Sequence, residues 1–178
     1  FFDASPSPRM LVERMAKQFE KEWAVLIEEN PGAAHLEKRY LVTVASLVER
    51  ETKVDEERPL VAQVIYNRLE KNMPLQLDST LQFALNKYGQ RMLDEDKQVR
   101  SPYNTYRNKG LPPGPICSPG LPSLRAAMAP ADVPYLYFVS NADGQTHTFS
   151  STLEEHNRAV AKFRREITPQ RKTEAATP

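Results

Sequence analysis

Prolines are concentrated in one stretch of the chain, and this stretch limits what the chain can fold into. Of the 15 prolines in 178 residues, eight lie between Pro102 and Pro134. A proline inside a helix removes a backbone hydrogen bond and clashes with the preceding turn, so long helices are excluded there. We therefore predict a long, irregular loop over residues 94–120, and such loops inside compact domains are often functional.

The composition excludes several classes of protein. Lys and Arg number 24 against 23 for Asp and Glu, a balance that gives no electrostatic reason to expect nucleic acid as a partner. The longest apolar run is far shorter than a membrane-spanning helix requires. The chain begins at Phe1 without an initiator methionine or a signal peptide, so we expect it to be a piece of a longer protein. Cys117 is the only cysteine, which excludes an internal disulfide.

Periodicity and capping residues predict helices on both sides of the loop and a hairpin after it. The predicted helices cover residues 8–30, 34–52, 59–71, 78–88, 123–128 and 151–167, the last opened by a capping box at residues 151–154. The predicted strands cover residues 135–139 and 146–149. These elements predict an α+β fold, mostly helical, with a small antiparallel hairpin and a long Pro/Gly-rich loop. The expected organisation is a helical arm over residues 1–33, a main domain over residues 34–168 and a disordered tail over residues 169–178.

Two glutamates near the end of the second predicted helix differ in their position relative to its apolar stripe. That stripe consists of Leu41, Val44, Ala45 and Val48. Glu51 lies at the edge of the stripe, whereas Glu49 lies on the other flank, farther from its centre. A carboxyl group at such an edge is partly desolvated, which raises its pKa and suits a general acid. The geometry therefore favours Glu51 over Glu49 as an acid, although most glutamates on amphipathic helices simply face solvent.

The third predicted helix carries an arginine on its apolar face. Arg68 falls on the face that Val61, Val64 and Ile65 define. Because an unpaired buried charge is costly, we expect an anionic partner, for which Glu49 is the natural candidate. The alternative is that Arg68 extends past the core to water.

The loop and the hairpin supply further candidate binding residues. Tyr103, Asn104, Thr105 and Tyr106 combine aromatic rings with amide and hydroxyl groups, as sugar-binding loops do, or else pack on the core. His147 lies on the predicted hairpin, where it faces either a cleft or solvent. The three histidines lack the spacing of metal ligands, so no metal site is expected.

An ordered series of short motifs resembles the MltG (YceG-like) family of endolytic murein transglycosylases. The motifs are ASLVERET (45–52), VIYNRL (64–69), LQLDST (75–80), SPYNTY (101–106), GLPPGPI (110–116), SPG (118–120), SLRAA (123–127), PYLYFV (134–139), HTF (147–149) and HN (156–157). Each motif alone is weak, but their order along residues 41–163 is specific.

The resemblance implies a lyase that cuts the β-1,4 bond between N-acetylmuramic acid and N-acetylglucosamine in peptidoglycan and leaves a 1,6-anhydromuramic end. It implies that residues 34–168 form the catalytic domain, with Glu51 as the catalytic acid and Glu49 as the alternative. Gln76, Asp78, Asn104 and Tyr106 would position sugar rings or stabilise positive charge, beside Tyr103, Thr105 and His147 as further binding residues. No cofactor is implied.

The same resemblance implies partners and a location. Glycan strands of peptidoglycan would be the substrate, and peptidoglycan synthases would be partners in terminating nascent strands. The catalytic domain would face the periplasm or outer side of the bacterial inner membrane, attached only through a helix absent from this chain. Two other classes stay open: a peptidoglycan-binding module without catalysis, and a pyridoxal-phosphate lyase, for which the chain shows neither a Schiff-base lysine nor a phosphate cradle.

Overall fold

A computed structural model describes residues 7–175 of the chain. The chain forms two compact units, with the boundary between Glu37 and Lys38. Helix α1 (Pro8–Glu29) makes up most of the first unit and is followed by a single 3₁₀ turn, Pro31–Ala33. The Ser7 hydroxyl accepts a hydrogen bond from the backbone N–H of Met10, and proline occupies the first helical position, as the sequence predicts. None of the helices in the described residues is both long and apolar enough to span a bilayer.

The second unit contains helices and one small antiparallel sheet, which confirms the predicted α+β class. Its helices are α2 (Lys38–Glu51), α3 (Arg58–Glu70), α4 (Asp78–Leu85), α5 (Leu121–Met128) and α6 (Leu153–Ala175). Its strands are β1 (Tyr137–Ser140) and β2 (His147–Ser150). A 3₁₀ turn, Asp55–Glu57, leads directly into α3.

Helix α2 is the centre of the core, since α3, α4 and α5 all contact it. Its predicted apolar stripe is buried, and Leu47 and Ser46 on its other sides are buried as well because neighbours pack against more than one face. Full burial of a Leu or Val side chain contributes about 1.5–3 kcal/mol to folding. The core therefore holds the end of α2, and with it Glu51, in a defined position.

The hairpin follows the order that the sequence predicts, with strand boundaries shifted by one or two residues. Phe138 pairs with Phe149 and Ser140 with His147. Gly144 adopts a φ of 68° in the connecting turn, a conformation that glycine reaches without steric cost. The Asp143 carboxylate accepts hydrogen bonds from the backbone N–H groups of Gln145 and Thr146 and so fixes the turn.

Several predicted helix boundaries are wrong for local reasons. Helix α2 begins at Lys38 rather than near residue 34, because the preceding residues form turns. Helix α4 ends at Leu85 rather than near residue 88, since Asn86 adopts a left-handed conformation with φ 55° and closes the helix. The capping box before α6 uses Thr152 and Glu155, one residue later than predicted.

Helix α6 is longer than the sequence predicts. It continues past residue 167 to Ala175, so residues 169–175 are helical in the structure where we predict a disordered tail. Several of these residues have good intrinsic helix propensity, which a prediction based on polarity alone ignores. Residues 176–178, the end of the predicted tail, lie outside the described residues.

The predicted long loop over residues 94–120 is present, and its only helical turn is the 3₁₀ turn Asp96–Gln98. Asn104 holds the loop together from inside, because its fully buried amide donates to the carbonyls of Lys97 and Val99 and accepts from the N–H of Tyr106. A buried polar group with all its bonds made orders the backbone around it. The loop thus presents Tyr106 from a fixed base.

Candidate active site

A cleft of two adjoining cavities lies where the end of α2 meets the start of α4, the long loop and the hairpin. The first cavity has a volume of about 340 Å³ and is lined by Glu51, Arg68, Leu75, Gln76, Leu77, Asp78, Tyr106, Phe138, Val139, Ser140 and His147. The second, of about 380 Å³, is lined by Glu49, Arg50, Glu51, Thr52, Lys53, Gly89, Ser140, Gly144, Gln145 and His147. Glu51, Ser140 and His147 line both and therefore mark the junction of the two cavities.

Glu51 is the last residue of α2 and lies in a desolvated position at this junction. Its Oε1 atom accepts a hydrogen bond of 2.5 Å from the Ser79 hydroxyl. Burial raises the pKa of Glu51 above the ordinary range of a glutamate, the Ser79 hydrogen bond lowers it, and the charge of Asp78 raises it again. A carboxyl group of this kind holds a proton at a higher pH than an exposed one and can donate it to a ligand.

Asp78 and Tyr106 form one wall of the first cavity. The Tyr106 hydroxyl donates to Asp78 Oδ1 at 2.6 Å, which joins the first turn of α4 to the long loop. Burial, and then the hydrogen bond to Asp78, raise the pKa of Tyr106, so its hydroxyl stays protonated and acts as a donor. The carboxylate of Asp78 is thereby held facing the cavity that Glu51 lines.

Glu49 has a different role from Glu51 because its carboxylate is already occupied. Its Oε2 atom accepts hydrogen bonds from the Ser123 hydroxyl at 2.6 Å and from the Gly120 N–H at 3.1 Å, and Arg58 lies 3.5 Å away. These contacts tie α2 to the start of α5. Glu49 lines the second cavity, but its Oε2 atom is already held by these groups and joins two parts of the scaffold.

The predicted pairing of Arg68 with Glu49 is wrong. Arg68 is buried as predicted, but its guanidinium donates to backbone carbonyls, with 2.6 Å to Leu136 O and 2.6 Å to Leu75 O. It also lies over the Tyr137 ring, 5.2 Å from the centroid. Backbone carbonyls of two chain segments accept hydrogen bonds from the guanidinium, so Arg68 needs no carboxylate as a partner. Arg58, nine residues after Glu49 in the chain, takes the predicted place beside it.

The predicted binding residues separate into two groups. Gln76, Asp78, Tyr106 and His147 line the first cavity together with Glu51. Asn104, Thr105 and Tyr103 line neither of the two cavities. Asn104 and Thr105 are buried, and Thr105 Oγ1 accepts from the Leu77 N–H at 3.0 Å, so both support the loop from behind. Tyr103 packs on Phe83 with ring centroids 4.7 Å apart.

Gln76 enters the cavity from a backbone conformation that non-glycine residues rarely adopt. Its φ is 53°, and its N–H donates to the Thr105 carbonyl at 3.1 Å. Such a conformation costs of order 1–3 kcal/mol and persists only where the surroundings enforce it. The hydrogen bonds of the loop enforce it here and place Gln76 on the cavity wall.

Sequence reasoning missed Glu57 and Ser79, which contact the site. Glu57 is buried and contacts His147, although its neighbours Asp55 and Glu56 are exposed. Nothing local distinguishes Glu57 in a run of three acidic residues, so only its long-range contact identifies it. Ser79 carried a signal that points elsewhere, since a serine at the start of a helix commonly caps it, but its hydroxyl bonds Glu51 instead.

The Ser79 hydrogen bond gives a test of the electrostatics of Glu51. Since this bond stabilises the charged form, Ser79→Ala is expected to raise the pKa of Glu51 further. The measurement is a ¹³C NMR titration of the Glu51 carboxyl in the wild type and the variant. Ser118→Ala, at an exposed position, is the matched control and should leave the titration unchanged. A downward shift in Ser79→Ala would contradict the assignment.

The fold and the site define a class: a helical domain with one desolvated glutamate at the junction of two polar cavities, faced by a carboxylate, a phenol and an imidazole. In the described part of the chain, no group of three His, Cys, Asp or Glu side chains could hold a metal ion. The chain belongs to the YceG-like family, whose model matches residues 1–162, and the resemblance inferred from the ordered motifs is confirmed.

Known relatives and a solved structure agree with this membership. The chain is 39% identical over 92% of its length to the endolytic murein transglycosylase of Bacillus subtilis, of which it covers 45%. It is 40% identical over 68% of its length to the protein of the same name from Streptococcus pneumoniae, of which it covers 23%. A YceG-like protein from Listeria monocytogenes has a similar structure, with a TM-score of 0.80 and 37% identity over 89% of this chain and 51% of that one. The chain thus spans less than half the length of these two curated relatives.

Proposed function

We propose that this chain carries the catalytic part of an endolytic murein transglycosylase, which cleaves glycan strands of peptidoglycan. The observation that carries the proposal is the position of Glu51, a desolvated carboxyl with a raised pKa at the junction of two cavities. An enzyme that cuts within a strand needs room for sugar units on both sides of the scissile bond. Two cavities that share Glu51 meet this need.

In the proposed reaction, Glu51 protonates the glycosidic oxygen between N-acetylmuramic acid and N-acetylglucosamine. Cleavage of the bond develops positive charge on the anomeric carbon of the muramic acid, and the carboxylate of Asp78 across the cavity stabilises that charge. The C6 hydroxyl of the same sugar then attacks the anomeric carbon and loses its proton to a basic group in the cleft. The product is a 1,6-anhydromuramic end, and no water is consumed, unlike the reaction of two-carboxylate glycosidases.

The remaining wall residues position the sugar rings. Gln76 offers an amide, and Tyr106 offers an aromatic ring with a hydroxyl already bonded to Asp78. Fixed polar groups of this kind, held on a rigid scaffold, orient a ligand at low entropic cost. Arg68, which also lines the cavity, fixes this wall through its bonds to the Leu75 and Leu136 carbonyls.

Mass spectrometry of digested cell-wall sacculi tests the proposal. We expect the purified protein to release fragments that end in 1,6-anhydromuramic acid, each lighter by one water than the product of hydrolysis. Fragments with ordinary reducing ends would identify a hydrolase and refute the transglycosylase reaction. Binding to sacculi without release of any fragment would instead identify a non-catalytic peptidoglycan-binding module.

Glu49→Gln separates the two glutamates by stability and activity. Loss of the charge weakens the bonds to Ser123 and Gly120, and charge-assisted bonds contribute about 1.5–3 kcal/mol each to stability. We expect the free energy of unfolding to fall by about 1–3 kcal/mol while fragment release is retained under folding conditions. Denaturant unfolding and the sacculus assay measure the two effects. Complete loss of cleavage in a folded Glu49→Gln variant would transfer the acid role to Glu49.

We also propose that the domain works outside the inner membrane of a bacterium, beside peptidoglycan synthases, and that it ends the growth of nascent strands. The support is the family membership, since peptidoglycan is assembled at that surface. Protease accessibility in spheroplasts tests the location. Co-purification of cross-linked synthases, compared with a membrane protein of similar abundance, tests the partnership.

A further inference from the structure

The imidazole of His147 is held in a single orientation at the junction of the two cavities. Glu57 binds it twice, since Glu57 Oε1 accepts from the His147 backbone N–H at 2.7 Å and Glu57 Oε2 lies 2.7 Å from His147 Nδ1. The side chains of this pair are only 10% and 11% exposed. The Phe138 ring meets the imidazole edge to face, with centroids 5.5 Å apart, and limits its rotation.

The contacts of Glu57 determine which nitrogen of the imidazole carries hydrogen. Glu57 Oε1 accepts from the His147 N–H, and Glu57 Oε2 also accepts from the Thr52 hydroxyl, so Glu57 acts as an acceptor toward each of these partners. A carboxylate with this role requires Nδ1 of His147 to donate, which leaves Nε2 of the neutral ring as an acceptor. None of the described residues bonds Nε2, and this atom is not one of the fully buried polar atoms. It is therefore reachable from the cleft that His147 lines.

Glu51 and His147 reach this junction from different elements. Glu51 ends α2, whereas His147 begins β2, and Thr52 joins the two because it follows Glu51 and donates to Glu57. Ser79 occupies Oε1 of Glu51, which leaves one oxygen of the carboxyl for proton exchange with a sugar. The reaction transfers one proton to the glycosidic oxygen and removes one from the C6 hydroxyl. Two side chains placed at these two sugar oxygens serve both transfers better than the one free oxygen of Glu51.

We propose that His147, oriented by Glu57, is a second catalytic residue that accepts the proton of the attacking hydroxyl. This inference rests on the proposed function. Glu51 gives its proton to the glycosidic oxygen as the bond from the anomeric carbon to that oxygen breaks. The C6 oxygen forms a new bond to the anomeric carbon, and its proton passes to Nε2 of His147. Solvent then removes this proton and returns one to Glu51, so the cycle balances without net consumption of water.

Kinetics of His147→Ala, measured on soluble glycan strands, test the catalytic role. We expect kcat to fall by about 10²-fold or more with a small change in KM, and added imidazole to restore part of the loss. His35→Ala, at an exposed position far along the chain, is the matched control and should behave as the wild type. An unchanged kcat would overturn the inference, and so would a loss in a folded variant that imidazole does not restore.

A second measurement reads the orientation of His147 without any cleavage. The ¹⁵N NMR shifts of the ring should show Nδ1 protonated and Nε2 unprotonated in the neutral form. Glu57→Gln should change this tautomer ratio and lower kcat, whereas the exposed control Glu56→Gln should do neither. A wild-type ring that carries hydrogen on Nε2 alone would overturn the inference, even if the chain folds poorly after His147→Ala.

The two proposals fail in different ways. If the wild type releases no anhydro-ended fragments, the proposed function is refuted, and with it the catalytic part of the inference, while the tautomer still reports on the Glu57–His147 pair. If anhydro-ended fragments appear and depend on Glu51 but not on His147, the proposed function stands and the inference is refuted.

Discussion

Replacement of Glu51 by glutamine is expected to lower the rate of glycan cleavage by about 10²- to 10⁴-fold, the usual contribution of a general acid. Glutamine has nearly the same shape, and its amide can still bond the Ser79 hydroxyl that holds Glu51. It cannot, however, donate a proton to a leaving oxygen. The release of anhydro-ended fragments from sacculi, followed by mass spectrometry, measures the loss.

Stability distinguishes this loss from unfolding, and its sign follows from the pKa of Glu51. Burial raises that pKa in the folded state above its value in the unfolded chain. The contribution of Glu51 to stability is therefore fully present below the unfolded pKa and is lost as the pH rises through the folded pKa. Glu51→Gln removes this dependence, so at neutral pH we expect the variant to be at least as stable as the wild type.

Glu70→Gln provides the matched control, because Glu70 is an exposed glutamate at the end of α3. It should change neither the rate nor the stability. Full activity in a folded Glu51→Gln variant would remove the acid from the proposed reaction. If Glu51→Gln instead loses both its activity and its fold, the argument that Glu51 is desolvated is contradicted. Replacement of a desolvated carboxyl by a neutral amide should not destabilise the protein.

Replacement of Arg68 by methionine is expected to produce the largest loss of stability among the changes considered. Arg68 supplies hydrogen bonds to Leu75 O and Leu136 O, both at 2.6 Å, and its guanidinium covers the Tyr137 ring. Methionine keeps the apolar stem but leaves these carbonyls without a donor, and each unsatisfied group costs about 1–3 kcal/mol. We expect the free energy of unfolding to fall by about 2–5 kcal/mol, and the Tm to fall by roughly 5–20 °C.

Denaturant unfolding followed by circular dichroism measures this loss. Arg91→Met, at an exposed position, is the matched control and should change stability by no more than about 0.5 kcal/mol. A change of less than about 1 kcal/mol in Arg68→Met would mean that water replaces the guanidinium at both carbonyls. Arg68 would then not be the side chain that joins the segment before α4 to the segment before β1.

Much of the fold could be predicted from the sequence because it depends on neighbours along the chain. The apolar stripe of α2, the buried face of α3 with Arg68 in it, and the hairpin around Gly144 all follow from periodicity and turn chemistry. The prolines after Pro102 exclude a long helix in the loop over residues 94–120. The exact helix boundaries could not be predicted in the same way. A left-handed Asn86 or a capping box shifted by one residue hardly changes the hydropathy pattern.

The candidate site was only partly predictable. The edge of the α2 stripe indicated Glu51, and the motif order indicated Gln76, Asp78 and Tyr106, which line one cavity with it. Asn104 has the same polar chemistry as these residues, but the structure turns its amide inward to hold the loop. Composition cannot distinguish a side chain that faces a cleft from one that supports it.

The sequence by itself determined the kinds of helices, the hairpin, the irregular loop and the presence of two carboxyl groups at the end of α2. Only the tertiary structure decided that Ser123 and Gly120 donate hydrogen bonds to Glu49. It also decided that carbonyls rather than a carboxylate accept from Arg68, and that Glu57 orients His147. The physical reason is the range of the interactions. Periodicity and turns act over a few residues, whereas desolvation and hydrogen bonding at the site depend on atoms brought together from segments up to 90 residues apart.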